Sequence, residues 1–130
     1  MTVVAGVGFR RAAPAAEIVA LVERALAAAA LGRTDLGSLA TAAPLADATA
    51  FRAAARCLAV EPVAVELTVL AASDRSVRTR SARSLAAHGV GSVAEAAALG
   101  AAGKGARLVL PRIASAAATC ALAQGGDGPP

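Results

Sequence analysis

The stretch Gly89-Val90-Gly91-Ser92-Val93-Ala94-Glu95-Ala96-Ala97-Ala98-Leu99 constrains its surroundings more tightly than any other part of this chain. Ser92 and Glu95 have the S-x-x-E spacing of a capping box. The Ser92 hydroxyl can accept from the Glu95 amide, while the Glu95 carboxylate accepts from the Ser92 amide. The glycines just before them let the backbone turn tightly and approach a ligand closely. The segment reads as a glycine turn feeding a capped helix over residues 93–102, stopped by Gly103-Lys104-Gly105.

Strand and helix signals alternate around it. Residues 3–7 form a β-branched run ending near glycine, the pattern of a buried strand. A helix over residues 15–31 follows, with Pro14 at its start, where the first amides lack internal partners anyway. Ile18, Leu21, Val22 and Ala25 make one buried stripe on it, and Gly32 supplies the stop. Residues 36–41 are a weaker strand ended by Ala42-Ala43-Pro44. Asp47 can cap a second helix with Phe51, Ala54, Ala55 and Leu58 inward and Arg52 and Arg56 on its solvated face. Residues 62–66 give a third strand, residues 107–112 a fourth, and residues 117–123 a fifth that pairs back antiparallel after a turn at 114–116. Residues 67–88 read as short helical turns around an Arg/Ser-rich loop. The fold class is therefore α/β: a three-layer α/β/α sandwich with a mixed, mainly parallel sheet of about five strands. Residues 3–7 lie at or next to its centre. Residues 1–124 make one domain, and 125–130 a disordered Gly/Pro tail.

Composition narrows the partners. The net charge of +4 points to an acidic partner, either nucleic acid or a polycarboxylate small molecule. The aromatic inventory, Phe9 and Phe51, argues against nucleic acid, because single strands are held by stacking on aromatic platforms. The cations are also spread along the chain rather than massed on one stretch. Cys57 and Cys120 are too few for a disulfide scaffold or zinc site and read as small buried hydrophobes in a reducing cytoplasm. No leader pattern and no long, strongly apolar run stands in the chain, so no membrane is expected.

Gly6-x-Gly8 after the first strand invites a dinucleotide reading, but Arg11 stands where its third glycine would fall. What survives is a glycine turn followed by Arg10 and Arg11. It is either a plain strand-to-helix turn with solvated arginines or an anion cradle. Glu95 likewise has two readings, a cap or the catalytic candidate acting as general acid or base. Gly91, Ser92 and Val93 head a helix whose first amides carry positive partial charge and can hold an anion. Arg75, Arg78, Arg80 and Arg83 form either a solvated loop or a second anion contact. His88 is the single histidine, so a two-histidine metal site cannot form, and it reads as a helix end. Neither metal nor cofactor is called for.

Ordered short motifs add a resemblance: Gly6-x-Gly8-x-Arg10-Arg11, Ala40-Thr41 followed by Asp47, Ser81, Gly91 to Leu99, Leu108-Val109-Leu110-x-Arg112, and Ala118-Thr119-x-Ala121. From about residue 4 to residue 123 the chain resembles the CobE family, stand-alone relatives of the C-terminal half of CbiG in the corrin-building stage of cobalamin biosynthesis. The resemblance implies a precorrin- or hydrogenobyrinate-type tetrapyrrole as ligand, with the chain as carrier or accessory factor and other cobalamin-biosynthesis enzymes as partners. It adds Ser81, Arg112 and Thr119 to the ligand-binding set. The alternative it implies is a hydrolase acting on a ring-bound lactone of a precorrin, with Glu95 positioning water. A phosphate-ligand binder is the reading outside corrin chemistry. Departures from the family pattern are Phe9 in place of a cysteine, Leu45 in place of a lysine, and Ala48 in place of the second acid of a pair.

Overall fold

The computed structural model describes residues 2–66, 69, 93–103 and 105–125. Its elements run β1 (Val3–Phe9), α1 (Ala15–Ala28), β2 (Leu36–Ala42), α2 (Thr49–Leu58), β3 (Glu61–Val65), α3 (Val93–Ala102), β4 (Arg107–Ala114) and β5 (Ala118–Gln124). Among the described residues the strands form one sheet in the order β3-β2-β1-β5-β4, with β1 at its centre. β1 pairs parallel to β2, and β2 parallel to β3. β5 runs antiparallel to both β1 and β4. Four strands therefore point one way and β5 alone returns, which gives the mixed, mainly parallel sheet that the alternation predicts.

Alternation along β1 assigns the layers. Val3, Ala5 and Val7 join one core with Ile18, Leu21, Val22, Leu26, Phe51 and Leu58 of α1 and α2. Each such large side chain contributes about 1.5–3 kcal/mol on burial. The opposite face is built from small residues. Ala94 and Ala98 of α3 meet Ala121 and Ala123 of β5, while Ala96 and Ala97 meet Ala40 and Ala42 of β2. Residues 93–99 are all buried, so α3 is enclosed around its circumference.

Gly6 explains how α3 comes so close. It lies inside β1, and a Cβ there would sit 2.1 Å from the Ala94 carbonyl oxygen and 2.4 Å from the Ala98 nitrogen. Neither Gly6 nor Gly8 belongs to a turn, because β1 continues through Phe9. That corrects the turn expected after residue 7: the glycines admit a helix and not a bend.

Other local expectations shift for identifiable reasons. The first helix ends at Ala28, ahead of Gly32. Ala30 takes the left-handed conformation at φ 59°, and the Leu31 amide donates back to the Leu26 carbonyl at 2.8 Å. Asp47 does not cap α2; Ala48 is the N-cap, with no side-chain hydrogen bond. β3 begins one residue earlier than expected, at Glu61. Cys57 is exposed, since the α2 stripe turns Phe51, Ala54, Ala55 and Leu58 inward and leaves position 57 outside. Gly103 does end α3 as expected, at φ 97°. The expectations for residues 67–88 and the 126–130 part of the tail lie outside the described residues, apart from residue 69.

Candidate functional site

In open α/β sheets, ligand sites form beyond the carboxyl ends of the parallel strands. Here that edge gathers the ends of β1, β2 and β4, the start of β5 and the amino end of α3. α3 runs against β1: Val93 lies over Gly8, Ala94 and Ala98 over Gly6. A Cβ on Gly8 would stand 2.9 Å from the Thr119 hydroxyl oxygen and 3.4 Å from the Val93 Cβ. Gly8, Thr119 and Val93 are thus packed against one another.

Hydroxyls and main-chain bonds hold this edge in register. Thr41, fully buried on β2, donates to the Val7 carbonyl at 2.7 Å. Thr119 donates to the Gly8 carbonyl at 3.3 Å. The Arg10 amide donates to the Ala117 carbonyl at 3.0 Å, which seats the residues after β1 beside the start of β5. The Arg11 guanidinium donates to the Pro44 carbonyl at 2.9 Å, tying the same loop to the end of β2. Arg10 and Arg11 are exposed, and Arg112 is half-buried.

Glu95 is the one carboxylate among the buried described residues. Its Oε2 accepts from the backbone amide of Arg112 at 2.9 Å. Sequence spacing suggests a bond to the Ser92 amide but gives no hint of this contact with a strand seventeen residues away. Ser81, Gly91 and Ser92 lie outside the described residues, as do His88, Lys104 and the Arg75 to Arg83 cluster. The structure therefore brings Gly8, Val93 and Thr119 together beside the main chain of Arg10 and joins Glu95 to the Arg112 amide on β4, with Gly6 as the contact that seats α3; Arg11 turns instead to the end of β2.

Thr41 is absent from the candidate set drawn from the sequence, although the Ala40-Thr41 motif marked it. Phe9 stacks on Phe51 with ring centroids 6.1 Å apart, so it joins the α1–α2 core. The Cys120 thiol is fully buried, and desolvation pushes its pKa up to about 12, which leaves it an inert core atom. Among the described residues no cluster of His, Cys, Asp and Glu is placed to hold a metal ion, and no helix is long and apolar enough to cross a membrane.

Comparison with known proteins gives a consistent picture. The family described as "Cobalamin synthesis G C-terminus" matches residues 3–123. Protein CobE from Sinorhizobium sp. is 40% identical over 120 residues, 92% of this chain and 78% of that protein. The crystal structure of CobE, a protein from the cobalamin (vitamin B12) biosynthetic pathway, superposes with a TM-score of 0.87 at 34% identity, covering 94% of this chain and 89% of that one. Cobalamin biosynthesis protein chiG from Agrobacterium tumefaciens superposes with a TM-score of 0.76 at 36% identity, over 97% of this chain and all of that one.

Proposed function

Because the chain belongs to the cobalamin synthesis G C-terminal family, we propose that it binds a precorrin- or hydrogenobyrinate-type tetrapyrrole, as a carrier or accessory factor of cobalamin biosynthesis. The observation that supports this reading is the position of the Arg10–Arg11 segment at the sheet edge where α3 begins, with Arg112 tied to the first turn of the same helix through Glu95. Corrin intermediates bear many acetate and propionate carboxylates around a broad apolar ring. Guanidinium groups and helix-end amides recognise carboxylates by charge-assisted hydrogen bonds. The edge is also rich in small residues, which lets a flat ring approach.

A carrier role is favoured over lactone hydrolysis by the state of Glu95. The carboxylate that a hydrolytic step would use is buried and engages a main-chain amide. A group so placed holds structure more readily than it shuttles protons to a bulky substrate.

Gel filtration of the purified protein with hydrogenobyrinic acid tests the proposal. Coloured ligand should co-elute with the protein, and Arg10→Ala combined with Arg11→Ala should weaken retention about a hundredfold, about tenfold for each charge-assisted bond lost. Mass spectrometry of a retained lactone-bearing intermediate should return it unchanged. Absence of co-elution overturns binding; an opened lactone replaces the carrier with the hydrolase.

A further inference from the structure

β4 is an edge strand whose pairing with β5 is broken twice, between Leu108 and Leu110 and again between Leu110 and Ile113. Pro111 sits inside the second break. Proline has no amide to give to a ladder, so within sheets it is tolerated at edges and bulges. The break takes the next amide, that of Arg112, out of register with β5. That amide donates to Glu95 Oε2. Glu95 itself is fully buried in the first turn of α3, where the helix dipole favours a carboxylate. The Gly6 contact fixes the depth of α3 and hence the height of that carboxylate above the sheet. Three separate features, a proline-broken edge strand, a buried acid and a helix seated on a glycine, converge on one backbone group. Burying a carboxylate merely to end a helix costs more than an exposed cap would, so its place in the interior calls for a task there.

We propose that Glu95 is a positioning residue: by holding the Arg112 amide, it fixes the irregular segment of β4 from which the Arg112 side chain meets a ligand carboxylate. Glu95 then acts on the ligand through Arg112 and touches no reacting atom. The inference rests on the tetrapyrrole-binding reading above for its ligand, while its structural half stands independently of that reading.

Amide hydrogen exchange and hydrogenobyrinic acid binding, measured on the intact chain, separate the two. Glu95→Ala should raise exchange at the Arg112 amide at least a hundredfold while the β1–β5 amides stay protected. Glu95→Gln keeps a carbonyl oxygen for the same amide and should stay within about threefold of wild type in both measurements. Binding should fall about tenfold for Arg112→Ala and for Glu95→Ala, and the double variant should fall no further than Arg112→Ala alone. If Glu95→Ala does not fold, Glu95→Leu fills the volume without an acceptor and takes its place. Unchanged Arg112 exchange, or additive binding losses, overturns the proposal. Failure of the wild type to bind the probe overturns the tetrapyrrole reading instead, and with it the proposal's ligand half; the exchange result still decides the structural half.

Discussion

At the scale of single residues, Gly6 and Gly8 look alike in sequence and do different work. Gly6 faces helix backbone that cannot move without lifting α3 from the sheet, whereas Gly8 faces the Thr119 hydroxyl and the Val93 side chain. Gly6→Ala should therefore destabilise the protein by about 3 kcal/mol or more, and Gly8→Ala by about 1 kcal/mol, as overpacking of a rigid and a more yielding neighbour respectively. Urea unfolding monitored by circular dichroism reads both, and equal losses would contradict this account. The two glycines are visible as a motif, but the reasons for them are not, because the atoms that a Cβ would meet belong to the much later α3 for Gly6 and to Thr119 of β5 for Gly8.

Among the elements, helix ends carry strain that the composition concealed. α1 and α2 both close on an alanine in the left-handed region, Ala30 at φ 59° and Ala59 at φ 57°. In each case the following amide, Leu31 or Val60, bonds back to a carbonyl five residues earlier. A left-handed alanine costs about 1 kcal/mol; glycine removes that cost, but its greater freedom in the unfolded chain offsets part of the gain. Ala30→Gly and Ala59→Gly should each raise stability by about 0.5 kcal/mol. Gly103→Ala should lower it by about 1 kcal/mol, since φ is 97° there although nothing crowds the position. Thermal melts of the three variants check the signs. A glycine near a helix end is a usual stop, yet Gly32 lies two residues past the turn that ends α1, so the alanine-rich sequence pointed to the wrong position.

Across the whole molecule, one carboxylate links the outer helix to the last hairpin. Glu17, in the first turn of α1, accepts from the Ser115 hydroxyl at 2.5 Å and the Ala117 amide at 2.6 Å. These two donors, Ser115 foremost, hold its pKa below the usual glutamate range, against a smaller opposing effect of desolvation. Arg24, further along α1, donates to the Ala114 carbonyl at 3.1 Å and braces the same turn. A depressed folded-state pKa means that the unfolded chain takes up the proton first. Stability from this tether is therefore fully present above the ordinary glutamate pKa and is lost as pH falls through the folded value. Wild type should be more stable than Glu17→Gln at pH 7, and the difference should shrink as pH drops below about 4. A difference constant between pH 7 and pH 3 would remove the carboxylate from the account.

The sequence by itself determined what depends on local periodicity: the order of strands and helices, the inward stripes of α1 and α2, the bounds of α3, and the final antiparallel return of β5. It also marked Gly8, Arg10, Arg11, Val93, Glu95, Arg112 and Thr119 as candidates, through short motifs and family resemblance. Tertiary structure alone decided how they meet. Contacts such as Glu95 to the Arg112 amide, Thr41 to the Val7 carbonyl and Gly6 to the backbone of α3 join positions far apart in the chain. Each involves a main-chain group, which every residue carries and no residue type announces. Spacing in sequence records what a helix or strand does to its near neighbours. It holds no record of which backbone amide a proline will turn out of a distant edge strand, or which buried acid will receive it.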